Sequence, residues 1–427
     1  MEGREVTSEG FFTGAPPRII GTEAEYAVVI DGSRVPSKLT SFRYIGRSGL
    51  ADELGVFPPL SHMNPLNANV WLGGGGGRVC IDLDHLEHCS PEMLGPLLAA
   101  AANFAGIAVV SRLCEAYREL HPKANIRAYR RAGDTIGQNT ETNGFHDNFL
   151  IPGRLVKDDG PLLRALLSTY LGTRSWAWAG TVGPEGFELS QKAAGIGSIA
   201  TTAQTTPART AKRAKPMAWI KTHESDYDIL ADEDWARAET RYAEAGFSRF
   251  SRYLALATNS LTFRLLEHKR IFRQGMLENL ILHDPIQATH RISQDLTLRQ
   301  SFRLRNGQDA TAIGIQEGLA IAALKLADEI QLPDDELKAG HLWIDICDRM
   351  RRSNPAKGEV LPIINFVDFA GKLWYVRRHV PEIHTIHSHN YEALFRSLIW
   401  DQFFPEGPGV LFWRSRNQRD DASDPIG

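Results

Sequence analysis

Residues 18–30 read RIIGTEAEYAVVI, and the fold turns on how this stretch is laid out. Its β-branched residues predict a strand. Side chains two apart on a strand share a face, so Glu23 and Glu25 point one way while Ala24 and Tyr26 point the other. The same rule applied to RVCIDL (78–83) puts Arg78, Cys80 and Asp82 on one face, and Val79, Ile81 and Leu83 on the core side. In FHDNFL (145–150) it aligns His146 with Asn148. Three strands thus each present a polar pair or triplet opposite a largely apolar face.

The polar set is unusual in kind. A solvent face normally mixes Lys, Thr and Ser, whereas these strands concentrate Glu, Asp, His and Asn. The segment IDLDHLEHCSPE (81–92) adds Asp84, His85, Glu87 and His88 beside Asp82. Any one pair reads as the wet side of an amphipathic strand. The set reads differently, because clustered carboxylates repel unless a cation lies among them. Oxygen-rich ligand sets favour Mg²⁺ or Mn²⁺. There is no HExxH, and no Cys/His spacing that suits a structural zinc.

Outward from these strands, Ser90 as N-cap, Pro91 at the first helical position and Glu92 behind it predict a helix running to about His121. ANIRAYRRA and FHDNFLI predict strands around a polar loop, 133–144, and SWAWAGTVG and GFELSQKA continue the strand-like pattern. TTAQTTPARTAKRAKP has no apolar periodicity and predicts an exposed loop. From about Asp232 the pattern turns helical: DEDWARAETRYAEA, FSRFSRYLALA, ATAIGIQEGLAIAALKLADEI, FVDFAGKLWYV and NYEALFRSLIW. A strand-rich first half with one embedded helix and a helical second half predict an α+β fold without internal repeats.

The chain has 427 residues, 43% apolar and 23% charged, with net charge −3. That length suits a large catalytic domain with a smaller one, or two to three modest domains, and the charge gives no global basic field to recruit nucleic acid or an anionic membrane. Four cysteines without CxxC spacing (Cys80, Cys89, Cys114, Cys347) predict reduced thiols in a cytosolic protein. The first 17 residues lack the apolar core of a signal peptide and predict a loose tail. Leu94–Val110 is apolar enough to raise a membrane span, but Pro96, Asn103 and its glycines favour a buried helix.

Other features have bland readings. The glycine run 73–77 lacks the rest of a P-loop and predicts a hinge. His384, His387 and His389 have no carboxylate partner set and predict a loop or capping role. DRMRRSNPAKG (348–358) predicts a solvated helix end, and most of the nine tryptophans predict core. No GxSxG nucleophile elbow occurs.

GTEAEY resembles the G-x-E-x-E-[YF] strand of the glutamine synthetase superfamily. More closely, the chain resembles the Pup ligase and Pup deamidase/depupylase family. There a strand ending N-G-A-R-x-Y-x-D runs into H-P-E-Y and a helix-starting P-E; the matching stretch here is GGGRVCIDLDHLEHCSPE. GFHDNFL matches the family's G-x-H-E-N-Y, and GTVG and LSQKA follow in the family's order. Weaker similarity continues to FVDFAGKL, covering roughly residues 18 to 375.

The resemblance implies a glutamine synthetase-like curved antiparallel sheet backed by helices, with Mg–ATP laid over it. It implies metal ligation by Glu23, Glu25, Glu87 and His146, nucleotide contacts from His146, Asn148 and Arg241, and Asp82 as the catalytic carboxylate. It implies a catalytic domain over 18–330 and a small C-terminal helical domain over 331–427. Departures are Cys80 for the family's tyrosine, HDN for H-E-N, and His223 where an arginine helps recognise the Pup glutamate. The family's R-R-L-H-V strand is RYAEA, which keeps Arg241 and reads as helix.

The implied reaction is ATP-dependent amide formation between a carboxylate (amino acid, peptide or small protein tag) and an amine, through an acyl phosphate, on a substrate other than Pup. The alternative is a depupylase-like amide hydrolase that uses nucleotide as a cofactor. A non-catalytic binding module is disfavoured by the joint presence of Glu23, Glu25, Asp82, Glu87 and His146. The sequence leaves the oligomeric state open.

Overall fold

A computed structural model describes residues 14–31, 33–34, 56–57, 70–72, 76–82, 85–130, 144–183, 186–201, 217–223, 235–244, 246, 248–272, 275–379 and 402–403. The expected loop at 202–216 and the three histidines 384, 387 and 389 lie outside these residues, as does NYEALFRSLIW.

The organising strand is β1 (Ile19–Ile30). Around it stand β2 (Val56–Phe57), β3 (Val70–Leu72), β4 (Gly77–Asp82), β5 (His85–Cys89), β6 (Ile126–Tyr129) and β7 (Phe145–Pro152). The far side is built by β8 (Ile196–Thr201), β9 (Met217–His223) and β10 (Trp235–Thr240). The sheet runs β8-β9-β10-β7-β1-β5-β4-β3-β2, with β6 also paired to β1. Neighbours along this path are antiparallel except β8 and β9, which run parallel.

One face of the sheet is covered by α1 (Pro96–Leu120) and α3 (Arg249–Glu267). Behind them pack α2 (Gly160–Thr173), α4 (Pro285–Gln294), α5 (Ala312–Glu329), α6 (Asp334–Arg351) and α7 (Asp368–His379). One core joins Phe149 and Ile151 of the sheet to Leu256 and Phe263 of α3, Leu319 of α5 and Trp343 of α6. A second joins Ala24, Tyr26, Val79, Ile81 and Leu86 to Val109, Val110 and Leu113 of α1. The chain is therefore α+β, with a sheet backed by helices.

Side-chain alternation behaves as expected. Phe145, Asp147, Phe149 and Ile151 of β7 are buried, and the residues between them are half-buried. Several charges on the helix-facing side are met by opposite charges. Asp147 accepts from Arg252 of α3 at 2.6 Å, with the carboxylate fully buried. Arg18 meets Glu267 at 2.7 Å, and the buried Arg264 pairs with Glu336 of α6.

Helix α1 starts at Pro96, later than the Ser90–Pro91–Glu92 signal predicts. Ser90 instead accepts a hydrogen bond from the Thr22 amide at 2.9 Å, and Met93–Leu94 pair with the start of β1. The cap is used to stitch strands, and the helix begins on the next proline, after Gly95 at φ 86°. By length and composition α1 could cross a membrane, and 56% of its most apolar window is buried. Its polar features dock it on the sheet: Asn103 donates to Thr22 and accepts from Arg130. At Gly106 the ring of His88 lies where a Cβ would be.

The segment from 235 is strand, not helix. Ala, Arg and Glu favour a helix in isolation, but tertiary pairing overrides propensity. Both edges of β10 are satisfied, by β7 and β9. Residues 241–244, RYAE, carry on without helix. Conversely α2 was hidden in the sequence reading, although Pro161 and Leu163, Leu166, Leu167 and Leu171 carry a helical spacing. SWAWAGTVG divides into a short 3₁₀ turn (Ser175–Ala177) and a three-residue strand (Thr181–Gly183). Trp176, Trp178 and Trp343 are core, whereas Trp235 is exposed. The arginine-rich end of α6 is solvated, with Arg351 and Arg352 paired to Glu317 and Asp348.

Candidate active site

The other face of the sheet collects the polar residues into rows. Strand register sets Cys80 opposite Glu87, and Glu87 opposite Glu25. The next row runs Arg78, Cys89, Glu23, His146. Beyond it, Asn148 faces Glu239. Asp82 closes β4 in register with His85. The carboxylates therefore stand side by side because the registers of five strands bring them there.

Glu23, His146 and Glu239 form one close group; one ligand atom from each lies within 4.8 Å of the others. His146 Nδ1 is 3.0 Å from Glu23 Oε2 and 3.4 Å from Glu239 Oε1. Asn148 Nδ2 donates to Glu23 Oε1 at 3.2 Å. Arg241 Nε is 2.8 Å from Glu239 Oε1, and Arg237 reaches the other oxygen at 3.6 Å. Burial pushes the Glu23 carboxyl up, but the hydrogen bond and charge of His146 outweigh it and hold the group below the usual carboxylate range.

Glu25 is buried and takes His85 Nδ1 at 2.7 Å. Burial again opposes ionisation, and His85 outweighs it, so this pKa is lowered too. Gly144 packs so closely that a side chain there would strike Glu25 Oε1, and its carbonyl accepts from the Glu25 amide at 2.9 Å. Glu87 differs. Its Oε2 accepts from Cys80 Sγ at 3.1 Å. Burial first, then the negative charge of Cys89, Glu23 and Glu25, drive its pKa well above the carboxylate range.

Of the expected residues, Glu23, His146, Asn148 and Arg241 meet directly around Glu239. Glu25 and Glu87 face each other in the adjacent row, and Asp82 stands by register one pair further along β4. The sequence marks His85 within the polar segment without giving it a role, and does not mark Glu239. Glu239 was concealed by a helix-like context; strand alternation through Arg237, Glu239 and Arg241 is the signal that finds it. Asp147, the middle residue of HDN, faces the helices and lies outside the polar rows.

The LSQKA segment braces the site from the side. Lys192 Nζ donates to the Phe145 carbonyl at 3.2 Å and the Arg241 carbonyl at 3.0 Å, which fixes the backbone beside His146 and Arg241. Burial pulls the Lys192 pKa down to about 7. Glu244 accepts from the amides of Ala179 (2.6 Å) and Gln191 (3.1 Å) and from the Ser190 hydroxyl. Burial raises the Glu244 pKa, and those donors limit the rise.

Oxygens of two glutamates with one imidazole, bordered by a facing pair of acids, match the donor set of a hard divalent cation. Arginine and asparagine at the same edge offer donors to an anionic group. The arrangement can hold a cation and a phosphate-bearing ligand over the sheet.

A family model described as Pup-ligase protein matches residues 18–390. Among curated proteins, the chain is 26% identical over 365 residues to a Pup deamidase/depupylase of Mycolicibacterium smegmatis, covering 81% of this chain and 68% of that protein. It is 27% identical over 299 residues to a Pup–protein ligase of Acidimicrobium ferrooxidans, covering 67% of this chain and 60% of that protein. The crystal structure of Pup in complex with its ligase PafA superposes with a TM-score of 0.70 at 18% identity, covering 96% of this chain and 77% of that one. PafA in complex with ADP gives 0.66 at 17% identity, covering 83% and 74%. At these identities the solved structures establish likeness of fold.

Proposed function

The chain belongs to the Pup-ligase family, and on that premise we propose that it is an ATP-dependent carboxylate–amine ligase whose carboxylate substrate is an amino acid, peptide or small protein other than Pup. The observation that carries this reading is the Glu23–His146–Glu239 cluster with Glu25 and Glu87 in the adjoining row. In this reading the sheet is the cradle over which the nucleotide lies.

Glu23, Glu239 and His146 would hold Mg²⁺, with Glu25 and Glu87 offering further oxygens. The elevated pKa of Glu87, set by burial and by neighbouring negative charge, fits a place for compensating positive charge. Bound there, Mg²⁺ supplies charge neutralisation for a triphosphate. Arg241 and Asn148, at the edge of the cluster, would bind and orient phosphate or ribose oxygens. A free carboxylate is a poor electrophile; taking the γ-phosphoryl group turns it into an acyl phosphate and leaves ADP. The amine then attacks the carbonyl carbon, phosphate departs with the former carboxylate oxygen, and Asp82 accepts the amine proton. The divergent substrate rests on His223 in place of the family's arginine.

Nucleotide stoichiometry tests the reading. ADP release is expected to accelerate only when a carboxylate and an amine are both supplied, and to track amide product one to one. Amide cleavage sustained by ADP, or by a non-hydrolysable ATP analogue with phosphate, would overturn it in favour of a depupylase-like hydrolase, the activity named for the Mycolicibacterium relative.

A further inference from the structure

Beside the hard-oxygen cluster stands a second group of different chemistry. Cys80, Glu87 and Cys89 are all buried, and one ligand atom from each lies within 4.8 Å of the other two. Cys80 and Glu87 are a cross-strand pair between β4 and β5, and Cys89 is two residues along the same face of β5. Cys80 Sγ donates to Glu87 Oε2 at 3.1 Å, and Arg78 Nε donates to Cys89 Sγ at 3.1 Å. Both cysteines are free thiols.

We propose that Cys80, Cys89 and Glu87 form a binding site for a thiolate-seeking divalent metal of the zinc class, separate from the Glu23–His146–Glu239 cluster. Three observations converge. The ligand set is two sulfurs and one carboxylate oxygen, a donor mixture that zinc accepts and magnesium rejects. The spacing is within reach, since a tetrahedral ion with bonds of about 2.0–2.3 Å sets its ligands about 3.5–3.8 Å apart, and small side-chain rotations close the remainder. The charge also balances. Two thiolates and one carboxylate carry −3, a divalent ion returns +2, and Arg78 supplies the last positive charge as a hydrogen-bond donor to a ligating sulfur.

Binding converts the Cys80 and Cys89 thiols to thiolates and takes Glu87 as its carboxylate, every displaced proton leaving to solvent, and replaces the Cys80–Glu87 hydrogen bond with one metal bond to each partner. Glu87 is in register with both Cys80 and Glu25, so this residue stands between the two clusters. Three protein ligands leave one position of the tetrahedron for water or a substrate atom.

The test uses the full chain, reduced and free of nucleotide, titrated with Co²⁺ alone. The expected result is saturation at one equivalent, with visible bands of tetrahedral cobalt and near-ultraviolet thiolate-to-cobalt charge transfer. Zn²⁺ at one equivalent should bleach both, and millimolar Mg²⁺ should leave both in place. Cys80→Ser and Cys89→Ser should each weaken binding at least tenfold and lose charge-transfer intensity, while Cys114→Ser and Cys347→Ser keep the spectrum. Should either serine variant fail to fold by circular dichroism, protection of Cys80 and Cys89 from alkylation by added Zn²⁺, read by peptide mass in the unmodified chain, decides instead. Glu23→Ala should retain the cobalt spectrum, which separates this site from the nucleotide reading. Absence of charge transfer, its persistence in both serine variants, or unprotected alkylation would overturn the proposal.

Discussion

The two faces of the central sheet use the same residue types to opposite ends. On the helix side, charge is met by opposite charge: Asp147 by Arg252, and nearby Arg18 by Glu267. On the opposite side, like charge is gathered: Glu25 faces Glu87, and Glu23 is one row away. Histidines three apart in sequence divide the same way. His85 reaches Glu25 at 2.7 Å, whereas His88 points into the core and packs against Gly106. A buried ion pair is a structural solution complete in itself. A cluster of acids is unfavourable alone and acquires sense with a cation. Under the proposed function, the difference separates residues that hold the protein together from residues that would hold a ligand.

The comparison can be broken most decisively at Asp82. Asp82→Asn is expected to lower turnover by about 10²–10⁴-fold while leaving the Mg–ATP-dependent rise in melting temperature intact. Normal turnover in steady-state assays would remove Asp82 from the mechanism.

A second contrast pairs the two faces directly. Asp147→Ala strands the Arg252 guanidinium in the core and should cost about 3–5 kcal/mol in denaturant unfolding. Glu23→Ala removes a carboxylate held by His146 and Asn148, and should cost less unliganded stability than Asp147→Ala while abolishing the Mg–ATP melting shift. If Glu23→Ala is the more destabilised of the two without ligand, the division between the faces is wrong.

The pH dependence sharpens the histidine pair. Burial, then the charge of Arg130, pull the His88 pKa down to about 4. Unfolded, the same ring takes up its proton near 6.5, so between these values the unfolded chain binds more protons. The contribution of neutral His88 is therefore complete above about pH 6.5 and is lost as the pH falls toward 4, by up to about 3 kcal/mol. His88→Gln should flatten that limb of the stability–pH curve measured by urea titration, and an unaltered slope would count against the core assignment.

The smallest effect concerns Ser90. As a strand stitch it contributes one hydrogen bond to the Thr22 amide, so Ser90→Ala should cost about 1 kcal/mol. The helix content by circular dichroism should not change, since α1 begins at Pro96. A loss of helical signal would restore Ser90 as the cap.

Much of this division was legible in the sequence wherever period-two alternation operated on one strand at a time. Glu23 against Ala24 and Tyr26, Cys80 against Val79 and Ile81, and His146 beside Asn148 follow from that rule and hold in the structure. What it cannot supply is register between strands. Glu239 joins the site only because β10 pairs with β7 at Asn148, and no local pattern in an alanine- and arginine-rich segment announces that partner. Alternation turns Asp147 away from His146 and Asn148, but it does not name the partner Arg252 on α3 that meets it there. Ser90–Pro91–Glu92 carried a real capping signal that a strand pairing claimed first.

Helix α1 has one further consequence, for synthesis. It is the most membrane-like stretch among the described residues, and its cover comes from both directions of the chain: β1 before it, and α3 well after. About 150 residues separate the end of α1 from the end of α3. At ribosomal rates of about 5–20 residues per second, that segment waits roughly 7–30 s with one flank bare. A nascent chain in that interval presents what a targeting factor or a chaperone is built to grip. The Asn103, Gly106 and Pro96 interruptions make the segment a poorer ligand for the membrane route than its hydropathy suggests.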